Sequence, residues 1–314
     1  NPFIAGKPIY PDGRTVFKGR QDIFAEIESS LAAMHQIPTL LLYGPRRSGK
    51  TSLLLQLPQQ LPGNVAPVFV NLQEAAATVY SAAGFVLELI QSIIDQCLEY
   101  RGLTLPRVSP IDFEKEPYLA FGRWLDEAAR PLSGYTLFIA LDEFEWVEKA
   151  IDQGRLDENV LSFFRNLIQR GGKPPLALLF SGVHLLSELK FNWPSFFINV
   201  KSVKVSYLPE KDARALITYP IDDFPLDYQR AVVEIYLEQT RSQPYLVQLV
   251  GFELVNYLNS ADRRLQGNHL QATIDDLEVA FTKGLAAGRN YFAELWQSSH
   301  NDERLVLSCL AAGA

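Results

Sequence analysis

The stretch Thr39–Leu55, "TLLLYGPRRSGKTSLLL", decides how this chain is read. Its first five residues form an apolar run without polar alternation, as a strand buried on both faces of a parallel sheet requires. The next eight, "GPRRSGKT", fit the pattern G-x-x-x-x-G-K-[ST] at Gly44, Gly49, Lys50 and Thr51, and "SLLLQL" then starts a helical pattern. In a strand–loop–helix setting the two glycines let loop N–H groups turn inward around phosphates, and the start of the helix adds partial positive charge. Lys50 is placed to reach the β and γ phosphates of a nucleotide, and the Thr51 hydroxyl to ligate Mg²⁺. Pro45, Ser48 and Ser52 complete the predicted phosphate contact. Arg46 and Arg47 are open to three readings: phosphate contact, contact with a neighbouring subunit, or solvation.

A phosphate loop needs a carboxylate holding the metal from the far side, at the end of an adjacent parallel strand. The run "TLFIALDEFEW", Thr136–Trp146, supplies one. Asp142 ends the apolar run and is expected to hold Mg²⁺ together with Thr51. Glu143 follows and is expected to orient or deprotonate an attacking water. The expected catalytic set is therefore Lys50, Asp142 and Glu143. Glu145 falls in the first turn beyond the strand, where it is expected to be solvated or paired.

Working outward, apolar β-rich runs recur at Thr39–Tyr43, Ala66–Asn71, Thr136–Leu141, Leu176–Ser181 and Val200–Tyr207. Helical patterns fill the intervals at Ser48–Leu57, Ser81–Arg101, Tyr118–Arg130, Glu158–Arg170 and Val183–Leu189. Alternation of this kind predicts an α/β fold with a parallel sheet covered on both faces. After Tyr207 no strand is expected. "PEKDARALITYP", "LDYQRAVVEIYLEQT" and "PYLVQLVGFELVNYLN" predict helices, with Glu210 and Asp212 in the first turn of one, where carboxylates suit the helix dipole. The predicted organisation is a nucleotide-binding α/β domain over 1–206, a helical lid over 207–262 and a further helical segment over 263–314.

Composition is that of an ordinary globular chain: 314 residues, 47% hydrophobic and 21% charged. A net charge of −7 argues against broad nucleic-acid affinity. Cys97 and Cys309 are far apart and predict two buried, reduced thiols, which fits a reducing, cytoplasmic setting. The histidines 35, 184, 269 and 300 are scattered and form no metal-ligand spacing. No apolar run approaches the ~20 residues that span a bilayer, and no signal peptide is recognised. A start at Asn1 and a stop at "CLAAGA" read as a piece of a longer protein.

Taken together, "VFKGRQDIF", "LLLYGPRRSGKTSLL", "LFIALDEFEW", "LALLFSG" and "SQPYLVQLVGFEL" resemble the STAND class of P-loop ATPases within the AAA+ superfamily. They are similar also to archaeal-type ATPases related to origin-recognition initiators. The resemblance covers about residues 15 to 314 and implies ATP or ADP with Mg²⁺ as ligands, a P-loop core, a small all-α lid and the start of a winged-helix-like domain. It implies that Phe17, Gly19 and Arg20 lie near the adenine, that Pro244 of the lid packs by the nucleotide, and that Ser181 is a polar sensor between phosphate and water. Ser242 stands where that family has glycine. The family also places an arginine between the helix after Ser181 and the next strand. "KFNWPSFFINVK" has none, which leaves Arg165, Arg170 or Lys190 as substitutes. The expectation is a slowly hydrolysing ATPase acting as a nucleotide-controlled switch for self-association or an appended effector. A DNA-associated initiator-like ATPase and a nucleotide-binding module without turnover stand as alternatives, with nucleic acid disfavoured by the acidic balance.

Overall fold

The computed structural model describes residues 1–11, 16–32, 38–75, 81–170, 173–197, 199–265 and 270–313. The chain forms two compact units. Pro8–Gly13 and Gly19–Ser206 make an α/β unit; Asn1–Lys7, Arg14–Lys18 and Tyr207–Ala314 make a helical unit. Where the sequence reading groups the first residues with the α/β domain and divides the chain again at 262, the contacts place Asn1–Lys7 in the helical unit and keep Tyr207–Ala314 together.

The α/β unit is built on five parallel strands: β1 (Thr39–Tyr43), β2 (Val65–Asn71), β3 (Thr136–Asp142), β4 (Leu176–Gly182) and β5 (Val200–Lys204), in the order β2-β3-β4-β1-β5. The central strands are buried nearly throughout, as their unbroken apolar runs require. Edge strand β5 buries only Val203 and carries Lys201 and Lys204, charges that blunt an open edge. At the other edge Gln96 closes the ladder. Its amide donates to the Phe69 carbonyl at 2.7 Å and accepts from the Phe69 N–H at 2.8 Å. Helices α1 (Gln21–Leu31), α2 (Lys50–Leu55), α3 (Ala82–Arg101), α4 (Pro117–Ala128), α5 (Trp146–Asp152) and α6 (Asn159–Ile168) accompany the sheet. Ser81 caps α3 by accepting from the Gly84 N–H.

The strand order corrects one expectation. The strand carrying Asp142 is not the neighbour of β1, because β4 lies between them. A second correction concerns residues 183–189, where only a 3₁₀ turn at Leu186–Glu188 forms. The Val183 and His184 amides are engaged by the side chain of Glu145, so the backbone is diverted before a helix can start.

In the helical unit α7 (Glu210–Thr218), α8 (Arg230–Thr240), α9 (Pro244–Leu258), α10 (Ile274–Ala287), α11 (Arg289–Ser298) and α12 (Asn301–Ala312) follow in order. Glu210 and Asp212 do occupy the first turn of α7. The Tyr236 hydroxyl donates to the Val247 carbonyl at 2.6 Å and ties α8 to α9. Two-residue strands β6 (Asp227–Tyr228) and β7 (Gln271–Ala272) pair in parallel; runs this short carry no periodicity to read. Phe3 lies against Gly251 of α9, where a Cβ would sit 2.6 Å from its ring. Cys97 is buried and its thiol is pushed up to about 12 by that burial, whereas Cys309 is exposed on α12, contrary to expectation, since α12 buries none of its residues. Among the described residues no helix is long and apolar enough to cross a membrane.

Candidate functional site

The carboxyl ends of three neighbouring strands converge. In register, Asp142 of β3 stands beside Ser181 of β4, and Ser181 beside Leu42 of β1. The phosphate loop leaves β1 at this level. The Gly44 N–H donates to the Gly182 carbonyl at 3.3 Å. A Cβ on Gly44 would lie 2.1 Å from the Val205 carbonyl oxygen, so only glycine lets the loop pass this close to the chain leaving β5. Gly49 has φ 93°, a left-handed conformation natural to glycine, and space stays open where a Cβ would stand.

The side chains then close on one point. The Thr51 hydroxyl donates to Asp142 Oδ2 at 2.6 Å, and the Ser181 hydroxyl donates to Asp142 Oδ1 at 2.6 Å. Asp142 and Ser181 are fully buried. Lys50 Nζ donates to the loop's own carbonyls, Gly44 at 2.8 Å and Pro45 at 3.1 Å. Burial holds the Lys50 pKa below its usual value, and the carboxylates of Glu143, Asp142 and Glu145 oppose that shift. Ser48 Oγ is buried in the loop without a protein partner.

Glu143 has φ 54°, a left-handed conformation costly for a side chain with a Cβ. The turn survives because flanking bonds fix it: the Phe144 N–H donates to the Ser181 carbonyl at 3.1 Å, and the Trp146 N–H to the Glu143 carbonyl at 2.9 Å. Phe144 anchors it from below, edge-on to Phe180 at 5.8 Å and to Trp193 at 5.4 Å. Burial raises the Glu143 pKa above the ordinary carboxylate range; Asp142 and Glu145 add to this, while Lys50 and Arg46 oppose it. A carboxyl tuned upward beside a buried metal-type carboxylate is suited to taking a proton from water.

Of the residues singled out from sequence, Gly44, Pro45, Ser48, Gly49, Lys50, Thr51, Asp142, Glu143 and Ser181 come together here. Arg46 and Arg47 project from the exposed part of the loop, Arg47 with φ 60°. The Ser52 hydroxyl accepts from the Ile9 N–H at 3.0 Å, so it secures the segment beginning at Pro8. Gly19 and Arg20 form a left-handed pair at φ 77° and 67°. The buried Arg20 guanidinium donates to the carbonyls of Ser48 at 2.9 Å and Ser206 at 2.8 Å, bracing the phosphate loop from outside. Phe17 and Pro244 belong to the helical unit. Pro244 opens α9, whose N-cap Gln243 accepts from the Leu246 N–H at 2.7 Å. Arg241 and Ser242 before it are left-handed, with Ser242 at φ 57°, which is why glycine suits that position. Of the substitute cations, Arg170 is bound to Asp126 on α4 and Lys190 to Asp152, while Arg165 lies exposed in the last turn of α6. Glu145, expected to be solvated or paired, is half-buried and paired: its carboxylate holds the turn after Ser181. Its partners lie about forty positions away, so no local signal marks it.

The donor set of a threonine hydroxyl and an aspartate carboxylate suits a hard cation such as Mg²⁺, which favours oxygen ligands. The unpartnered Ser48 hydroxyl and the open side of Gly49 suit phosphate oxygens. The residues present therefore fit a magnesium nucleotide.

The five-stranded parallel sheet and the loop after β1 make an α/β core of the P-loop NTPase kind. No protein-family model and no curated protein matches the chain. Solved structures do. A Walker-type ATPase of Pyrococcus abyssi superposes with a TM-score of 0.66 at 15% identity, covering 93% of this chain and 77% of its own. The ORC2 protein of Aeropyrum pernix in its ADP form gives 0.56 at 12% identity, over 88% and 70%. The ORC1 protein of Aeropyrum pernix in complex with DNA gives 0.51 at 14% identity, over 95% and 73%. At these identities the likeness establishes the shared fold.

Proposed function

We propose that the chain binds ATP with Mg²⁺, hydrolyses it slowly and acts as a nucleotide-controlled switch of the STAND type. The observation that carries this reading is the bond chain Thr51–Asp142–Ser181, set across the mouth of the phosphate loop. When bound, Mg²⁺ supplies Lewis-acid polarisation of the phosphate oxygens. Thr51 and Asp142 hold it, Lys50 neutralises phosphate charge, and Glu143 accepts the proton of the attacking water. Slow turnover follows from the lack of an arginine over Lys190–Lys201 and from the engagement of Arg170 and Lys190 elsewhere, which leaves only the exposed Arg165 of those three substitutes. Such an arginine contributes roughly 10³–10⁵ in related enzymes. Phe17 and Pro244 enter the reading as nucleotide contacts of the helical unit, which then responds to the γ phosphate. The output is self-association or control of an appended effector. Light scattering with ADP and with a non-hydrolysable ATP analogue tests this; one and the same mass in both states refutes the switch.

A DNA-associated reading has one observation in its favour, the likeness to the ORC1 protein in complex with DNA. The net charge of −7 counts against it. Labelled duplex at moderate salt decides: retention with ATP favours this reading, and none with either nucleotide removes it.

A further inference from the structure

Glu145 has no part in the chemistry above, yet it lies against the turn that directly follows Ser181. Its Oε1 accepts from the N–H groups of Val183 and, at 3.1 Å, of His184. These residues directly follow Ser181 and Gly182. Gly182 rests on the carboxylate so closely that a Cβ there would be 2.2 Å from Oε1 and 2.5 Å from Oε2. The same Gly182 accepts from the Gly44 N–H at the entrance of the phosphate loop, and Ser181 donates to Asp142. Glu145 Oε2 is buried without a protein partner, so one oxygen does all the bonding.

The geometry points to Glu145 as a positioning residue for the proposed hydrolysis. It pins the turn Ser181–His184, and through Ser181 and Gly182 it sets the Asp142 carboxylate and the first residue of the phosphate loop. Glu145 touches no reacting atom, and this role rests on the ATPase reading. It also explains the glycine at 182. Any side chain there would push the carboxylate out, which is possible because a glutamate tip is flexible.

The test is a double-mutant cycle on the full chain. Glu145→Ala is expected to lower kcat roughly 10-fold or more, the scale seen when outer partners of a metal ligand are removed. Nucleotide Kd in the absence of Mg²⁺, read with a fluorescent ADP analogue, stays unchanged, because Lys50 and the loop amides remain in place. Glu145→Gln, which keeps an acceptor oxygen at the same reach, recovers most of the loss. Gly182→Ala reproduces the Glu145→Ala loss by displacement, and the double variant is no worse than either single one. Full kcat in Glu145→Ala, or losses that multiply in the double variant, overturn the proposal. A parent chain that binds nucleotide without turnover refutes the ATPase reading instead. The same cycle on the melting temperature of the nucleotide-free chain then decides: coupled effects support Glu145 as the pin of this turn, and additive effects overturn it.

Discussion

Ser181→Ala isolates the strand that the sheet order inserts between the loop and the carboxylate. The Ser181 hydroxyl is fully buried and donates to Asp142 Oδ1 at 2.6 Å. Removing it leaves one oxygen of a fully buried carboxylate without that donor. A hydrogen bond to a charged group contributes about 1.5–3 kcal/mol. For a unit of this size each kcal/mol shifts the melting temperature by about 2–4 °C. The expected drop for the α/β unit is thus about 3–12 °C in the absence of nucleotide. The Asp142 carboxylate, then held by Thr51 alone, also loses its fixed orientation, so Mg²⁺-dependent nucleotide affinity should fall roughly 10-fold or more. Differential scanning calorimetry measures the first effect, and titration of a fluorescent nucleotide with and without Mg²⁺ the second. Ser181→Cys, with a weak donor of similar size, should fall between the parent and the alanine variant. If Ser181→Ala melts with the parent and binds Mg²⁺–nucleotide equally well, the bond chain is not what holds the carboxylate.

Glu143→Gln should abolish steady-state hydrolysis while leaving nucleotide binding intact, as phosphate release will show. Because the folded-state pKa of Glu143 is raised, its ionised form costs stability that is lost as pH rises through that pKa. Glu143→Gln should accordingly melt higher than the parent at neutral pH, with the two curves meeting in acid. For the same reason the acid limb of the parent's kcat/KM–pH profile, which reports the free enzyme, should lie above the ordinary glutamate value of 4.5. Gly44→Ala drives a Cβ to 2.1 Å from a backbone oxygen, and at the upper end of the usual cost of overpacking should destabilise the unit by about 3 kcal/mol, read from urea unfolding. Ser242→Gly relieves a left-handed serine and should stabilise the helical unit by up to about 1 kcal/mol; a lower unfolding midpoint would show that the Ser242 side chain packs better than it strains.

The sequence by itself determined the phosphate-loop pattern and where it falls between strand and helix. Spacing of Gly44, Gly49, Lys50 and Thr51 after an apolar run is local information, and so is an acidic pair at the end of "TLFIAL". Unbroken apolar runs disclosed the central parallel strands, since burial on both faces leaves no alternation. The tertiary structure alone decided the strand order, which sets β4 between β1 and β3 and so makes Ser181 a partner of Asp142 rather than an ordinary strand end. It also decided the separate tasks of neighbouring carboxylates. Glu143 and Glu145 are two positions apart and alike in composition, yet one is held left-handed beside Lys50 while the other reaches back under Gly182. Arg20 belongs to the same class: its partners at Ser48 and Ser206 are 28 and 186 positions away. Periodicity reports which face of an element is buried. It carries no record of which distant backbone group will meet a side chain there, because that depends on how the sheet is assembled.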